Sequence, residues 1–362
     1  MSRVCAALIV RNEEAHLGPC LDSVHTLVDE IIVVDTGSTD RTRDVARDHG
    51  AVLVEEPWRD DFAHARNTAL SVATGDWILY IDADERLEVQ DDLHPWLDDP
   101  EVVAARVRFR ASSKLTSYRE HRLFRNRPDI RFRSVIHETV APDVLALVDR
   151  GAGRVVDAPL HIEHLGYEGD LSHKHERNLP LLRRAVAEWP ERLYLHMTLG
   201  EAQFGLGDAE AAEQSWRAGL AQVRSRPPQP GDVLLYADLL DLHFAPSGTT
   251  LDDADALAGE MARRHADDPL TLWWTGRRDV ECDRFDDARG KMRRLLEMGR
   301  SESSVAELGY DLGLFDVFPS SLLGTCCLRE GDADAALEWF RRAESGSHDP
   351  RGGIDAAKGT GC

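Results

Sequence analysis

Short apolar, β-branched runs that alternate with helical patterns set the tightest limit on how this chain can fold. Cys5–Val10, Glu30–Asp35 and Ala51–Glu55 read as strands, and Glu13–Val24, Thr39–Asp48 and Phe62–Ala73 carry helical spacing. This alternation predicts a parallel sheet with helices on both faces. Ligands of such sheets bind beyond the carboxyl ends of the strands. The polar clusters at three strand ends are therefore expected to share one rim: Arg11-Asn12-Glu13-Glu14, Asp35-Thr36-Gly37-Ser38-Thr39-Asp40 and Asp82-Ala83-Asp84. In the last of these, an apolar strand from Trp77 to Ile81 runs straight into two aspartates one residue apart. That spacing suits a divalent cation held against a diphosphate, while Asp-rich turns after strands can also do no more than satisfy backbone N–H groups.

Composition removes several classes of function. A chain of 362 residues can build two domains with substantial cores. Its 65 acidic against 43 basic residues give a net charge of -22, which excludes nucleic acid or an anionic membrane as a partner held by bulk electrostatics. No apolar run reaches the ~18 residues of a membrane span, and Met1-Ser2-Arg3 leads directly into the first strand without a signal-peptide core. A cytoplasmic protein without a membrane span is expected. Cys5, Cys20, Cys282, Cys326, Cys327 and Cys362 show no C-x-x-C spacing, so reduced thiols are expected as well.

From about Leu171 the β-branched runs give way to Ala, Leu, Glu and Arg at helical spacing. Leu199-Gly200, Gly207-Asp208-Ala209, Ala211-Ala212 and Trp216-Arg217 recur at one constant offset as Leu323-Gly324, Gly331-Asp332-Ala333, Ala335-Ala336 and Phe340-Arg341. Leu272–Met292, with Phe285-Asp286-Asp287-Ala288, looks like a degenerate copy. This pattern resembles tetratricopeptide repeats, whose helix pairs pack through small residues. The offset is not a multiple of the usual period of about 34 residues, so loops are inserted, with Pro227-Pro228-Gln229-Pro230-Gly231 and Pro246-Ser247-Gly248-Thr249 as the places for them. An irregular helical bundle with coincidental Gly-Asp turns is the alternative. The expected organisation is an α/β domain over residues 1–170, an all-α repeat domain over 171–345 and a flexible tail over 346–362.

Four ordered motifs of the first half resemble family 2 glycosyltransferases with a GT-A fold, a Rossmann-like mixed sheet: Val10-Arg11-Asn12-Glu13-Glu14, Val34-Asp35-Thr36-Gly37-Ser38-Thr39-Asp40, Asp61-Phe62-Ala63-His64-Ala65-Arg66-Asn67 and Gly75–Glu85. Arg122-Leu123-Phe124-Arg125-Asn126, Ile136-His137-Glu138 and His164-Leu165-Gly166-Tyr167 resemble the subgroup in which tetratricopeptide repeats follow that domain. The resemblance implies a nucleotide-sugar donor, with Ile9, Arg11 and Glu13 lining the nucleoside and Asp35 accepting from base or ribose. Asp35 alternatively closes an Asx-turn, and both roles can coexist. Thr36 stands where many relatives carry a second acid, which leaves the base open. Arg66 would order acidic groups near the nucleotide, or else pair with Asp35 or Asp61.

On the same resemblance, Asp84 would bind Mn²⁺ or Mg²⁺, a hard cation completed by phosphate and water. Asp82 would address the ribose or a metal-bound water, and His164, with His161 as rival, would complete the shell. Glu138, following a strand expected at Arg131–Ile136, would be the base of an inverting transfer, with His137 as rival. Arg122, from the arginine-rich segment Tyr118–Arg133, would stabilise the departing diphosphate; most arginines of that segment are expected to pair with surface acids. The expected activity is metal-dependent, inverting transfer from a nucleotide-sugar, UDP-linked, to a peptide or small-molecule acceptor. Repeats would supply a concave surface for a peptide, a protein partner or a second copy of the chain. A non-catalytic repeat scaffold with a degenerate transferase domain is one alternative, and a nucleotidyltransferase is another.

Overall fold

Strand β1 (Val4–Val10) sends alternate side chains into two different cores. Val4, Ala6, Leu8 and Val10 join Leu17, Leu21, Val24 and Leu79 on one side of the sheet, and Cys5 and Ala7 join Ile32, Val34, Ile78 and Phe124 on the other. A strand covered on both faces has no place for polar residues, which is why it reads as a continuous apolar run. In the computed structural model, residues 2–111, 114–165, 172–244, 253–299 and 308–346 are described. The chain divides into two compact units: Met1–Ser113, Ser117–Asp170 and Pro180–Trp189 form one, and Lys114–Thr116, Leu171–Leu179 and Pro190–Cys362 the other.

The first unit is built on an eight-stranded sheet. Its strands are β1, β2 (Glu30–Asp35), β3 (Val52–Glu55), β4 (Trp77–Tyr80), β5 (Glu85–Val89), β6 (Val102–Arg110), β7 (Tyr118–Arg125) and β8 (Arg154–His164), in the spatial order β3-β2-β1-β4-β7-β6-β8-β5. β3, β2, β1 and β4 are mutually parallel, as the alternating pattern predicts. β7 then runs antiparallel to both β4 and β6, and β5 antiparallel to β8. The sheet is therefore mixed. Chain order reverses between β1 and β4, the switch point at which open α/β sheets leave a crevice.

Helices α1 (Leu17–Val24), α2 (Thr42–Asp48), α3 (Phe62–Val72), α4 (His94–Leu97) and α5 (Ala141–Asp149) belong to this unit. α1 starts later than the expected Glu13, because Asn12 takes a positive φ of 58° and the Glu13 amide donates to Thr42 Oγ1. The expected strand at Arg131–Ile136 does not form. Its backbone is bound by side chains instead: Phe132 N–H donates to Asn67 Oδ1, Asn67 Nδ2 donates to Phe132 O, and Arg131 N–H donates to Asp143. Ser134, at φ 78°, breaks any extended run.

The second unit is helical. α6 (Ser172–Glu188) divides between the units, its residues up to Leu179 in this one and those from Pro180 in the first, and is followed by α7 (Leu193–Gly205), α8 (Ala209–Arg224), α9 (Val233–Phe244), α10 (Ala254–Arg264), α11 (Pro269–Glu281), α12 (Phe285–Met298), α13 (Val317–Arg329) and α14 (Ala333–Ser345). α7/α8, α9/α10, α11/α12 and α13/α14 pack as consecutive pairs. The recurring Leu-Gly has a steric cause: a Cβ on Gly200 would lie 2.2 Å from Trp216, and one on Gly324 2.7 Å from Phe340. Gly276 stands in the same relation to Met292, at 2.5 Å, so Leu272–Met292 is a third copy of the same helix crossing. Each turn also needs a left-handed residue, supplied by Gly207, Gly331 and, in the degenerate copy, Asp283. Asp208 and Asp332 then cap α8 and α14 by accepting from Ala211 and Ala335 N–H. The Pro246–Thr249 loop and residues 347–362 of the expected tail lie outside the described residues. Among the described residues, no helix is long and apolar enough to cross a membrane.

Candidate active site

Register fixes the centre of the site. β5 pairs Glu85 with His164 of β8, and the Leu165 amide donates to Asp84 O at 2.9 Å, so Asp84 and His164 are held as neighbours. Their side chains meet: His164 Nε2 lies 3.0 Å from Asp84 Oδ2. The other ring nitrogen, Nδ1, lies 3.0 Å from Ala111 O. As donor there, Nδ1 fixes the ring and leaves Nε2 facing Asp84. The contact to Asp84 pushes the His164 pKa up to about 9. His161, the rival, is three residues back on β8 and faces Glu88 at 3.7 Å, with its buried Nε2 without a partner. The structure therefore brings His164, not His161, to Asp84.

Arg66 joins the other acids. Buried at 5 % exposure, it donates from Nη2 to Asp82 Oδ1 and from Nε to Glu138 Oε1, both at 2.7 Å. Desolvation opposes its charge, but Asp82 and Glu138 outweigh that cost and raise its pKa. For Asp82, likewise, desolvation is overcome by Arg66 and then Arg122, leaving the carboxyl below its usual range. Among the described residues Glu138 accepts from Arg66, and it follows His137, whose φ of 51° is costly for a residue with a Cβ. Arg66 thus pairs with Asp82 and Glu138, and neither Asp35 nor Asp61 is its partner.

The remaining expected residues divide. Asp35, at the end of β2, is 2 % exposed and accepts from Gly37 and Ser38 N–H, the Asx-turn arrangement, with Arg43 Nε at 3.2 Å. Glu13 contacts His16 at 3.2 Å, and desolvation, with Asp84 and Asp82 adding to it, raises its pKa. Ile9 is half-buried in β1, and Arg11 is exposed just beyond it.

Arg122 departs from expectation. Its guanidinium is 6 % exposed and donates to both oxygens of Glu85, at 2.9 and 3.1 Å, and to Glu120 at 2.6 Å. A fork spent in this way makes a buried structural pair, with both of its faces taken by acids of the sheet. The neighbouring Arg119, Arg127 and Arg133 pair with Asp157, Asp129 and Asp143, as expected of the segment.

Two residues were not assigned roles from sequence. Glu85, 1 % exposed, accepts from the Asp82 amide at 2.8 Å while holding Arg122, so it shapes the turn that carries both aspartates. Its signal was its place directly after the D-x-D. The Tyr80 ring lies against two guanidiniums, 5.0 Å from Arg66 and 4.6 Å from Arg122, and separates the two charged clusters. Among the described residues, no group of three or more His, Cys, Asp and Glu converges as an all-protein metal cage. The arrangement offers two donors on an open rim, which suits a cation completed by phosphate and water.

Residues 5–153 match the glycosyl transferase family 2 model, and residues 320–350 match a tetratricopeptide repeat model. A TPR repeat-containing protein of Synechococcus elongatus is 42% identical over 250 residues, 67% of this chain and 62% of that protein. An uncharacterized glycosyltransferase of Rickettsia felis is 41% identical over 95 residues, 26% of this chain and 33% of its own length. The chain thus spans less than two thirds of either relative. Among solved structures, glucosyl-3-phosphoglycerate synthase from Mycobacterium tuberculosis, in complex with Mn²⁺, UDP and phosphoglyceric acid, aligns with a TM-score of 0.39 at 18% identity, over 50% of this chain and 76% of that one. Residues 5–153, which build most of the mixed sheet, thus match the family 2 glycosyltransferases, and a match to a tetratricopeptide repeat follows at residues 320–350.

Proposed function

We propose that this chain transfers a sugar from a UDP-linked nucleotide-sugar to a peptide or small-molecule acceptor, with inversion and with the aid of Mn²⁺ or Mg²⁺. The observation that carries the reading is the Asp84–His164 contact on the rim at the β1/β4 switch point, with the Arg66-linked pair Asp82 and Glu138 in the same unit. The transferase domain would extend over about residues 1–170 and the repeat domain over about 171–345.

Asp84 and His164 would hold the cation. The donor set fits, because one carboxylate and one imidazole with its tautomer fixed leave the other positions for a diphosphate. When bound, the cation would stabilise the charge that develops on the departing diphosphate. Asp35 and the end of β1, from Ile9 to Glu13, would line the nucleoside. Asp82, oriented by Arg66, would address the ribose. Glu138 would take the acceptor's proton: Arg66 fixes Oε1, so Oε2 is the oxygen that would receive it. Arg122 would act at a distance by holding Glu85 and, through it, the aspartate turn.

The test is the product. Incubation with UDP-sugars and Mn²⁺, followed by NMR, should show free UDP and a product of opposite anomeric configuration to the donor. Retained configuration would overturn the inverting assignment, and release of pyrophosphate would move the reading to nucleotidyl transfer.

A further inference from the structure

Arg277 of α11 carries a charge that no acid pairs. Its guanidinium lies 4.2 Å from the Phe244 ring centre, 5.2 Å from that of Trp274 and 5.6 Å from that of Trp273, and it makes no hydrogen bond or ion pair with any described residue. Ring faces favour the cation but do not accept its N–H groups as an oxygen does. Desolvation lowers the Arg277 pKa, against which Asp241 and then Glu281 act. Trp274 is in a similar position. Stacked on Phe244 at 5.5 Å and only 6 % exposed, it has a buried Nε1 without an acceptor. A buried donor left unmet costs stability that a bound acceptor restores.

Both groups line one cavity of about 350 Å³ among α9, α11 and α13, within the size range of ligand pockets. Trp273 and Phe318, with ring centres 5.5 Å apart, wall it together with Phe244. Other charged residues around it are spent: Arg278 donates to Glu281, Arg329 donates to Val280 O and Asp283, and Asp311 accepts from Gly313 N–H. Asp241 of α9 is the exception. It is exposed, lines the same cavity and has no hydrogen-bond or ion-pair partner among the described residues. Asp241 and Arg277 do not meet, yet each acts on the other's pKa.

Charge decides which ligand fits this aromatic chamber. An uncharged aromatic molecule leaves Arg277, the Trp274 N–H and Asp241 all unmet. A monoanion answers the first two but adds a second negative charge beside Asp241, and a monocation is repelled by Arg277. A molecule that holds a carboxylate and an ammonium on one carbon answers all three groups and leaves no net charge behind.

We propose that this cavity binds a free α-amino acid with a large apolar side chain, of the size of phenylalanine or tryptophan. Its carboxylate accepts from Arg277 and Trp274 Nε1, its ammonium donates to Asp241, and its side chain lies among Phe244, Trp273 and Phe318. Binding needs no sugar donor, so it stands or falls separately from the transferase reading.

Isothermal titration calorimetry on the full chain, without nucleotide-sugar, tests it with L-phenylalanine, L-tryptophan, L-alanine, N-acetyl-L-phenylalanine and L-phenylalaninamide. One or both of the aromatic amino acids should bind, and alanine, the N-acetyl compound and the amide should each bind about tenfold more weakly or worse. The last two controls also separate a free amino acid from the end of a peptide, which offers only one of the two charges. Asp241→Asn should weaken the amino acid about tenfold and leave the N-acetyl compound unchanged, while Arg277→Gln should weaken the amino acid and leave the amide unchanged. Circular dichroism melts of the same samples establish that the variants are folded. No binding of either aromatic amino acid up to millimolar concentration, equal binding of any control, or unchanged affinity in folded Asp241→Asn or Arg277→Gln protein would overturn the proposal.

Discussion

At the scale of single residues, the acids at the rim differ in what their loss should do. Asp84→Asn should lower kcat by about 10²–10³-fold, since it would remove a charge aimed at the leaving group, with little change in melting temperature because the side chain is part-exposed. Steady-state kinetics with saturating Mn²⁺ checks this, and near-normal turnover would remove Asp84 from the metal site. Glu138→Gln should cost about 10²–10⁴-fold in kcat if it is the base. Arg66→Lys should reduce both activity and stability, because one ammonium cannot keep both 2.7 Å contacts to Asp82 and Glu138; breaking a buried pair of this kind costs about 3–5 kcal/mol. The aspartates and His164 were legible in sequence because strand ends and pairing register bring them together. Arg122 was not, since its competitors Glu85 and Glu120 sit on the same few strands and a sequence shows the cation without showing which acid has taken it.

At the scale of elements, the parallel strands β1 to β4 were readable from their apolar runs, because burial on both faces leaves one composition possible. The loop at 131–136 was misread for a complementary reason: Phe132, Val135 and Ile136 are buried and β-branched or aromatic like strand residues, but Asn67 takes the backbone pairing of Phe132. The helix pairs were legible through glycine. Gly200→Ala or Gly324→Ala should destabilise by about 1–3 kcal/mol, because the added methyl meets the rings of Trp216 or Phe340. Urea unfolding measures this, and an unchanged midpoint would mean the crossings are looser than described. Asp238 gives the opposite sign. Its folded pKa lies above that of the unfolded chain, so the stability linked to its proton is present below the unfolded value near 4 and is lost as pH rises. Asp238→Asn should therefore stabilise the protein at pH 8 and do so less at pH 4.5, read from urea midpoints at the two pH values.

At the scale of the whole molecule, a domain that matches the family 2 glycosyltransferases is followed by a helical unit of repeated pairs. Sequence alone suggested both parts, but the buried pairing of Arg122 with Glu85 was invisible in it, because pairing is a property of packing and not of residue type. The central claim is the donor site, and thermal-shift titration of the full chain tests it most directly, using UDP-, GDP- and dTDP-sugars with Mn²⁺, with Mg²⁺ or with EDTA. The account predicts that UDP-sugar raises the melting temperature only with metal present, and that Asp84→Asn abolishes the rise. No shift with any donor, or an equal shift in EDTA and in the Asp84→Asn variant, would contradict it.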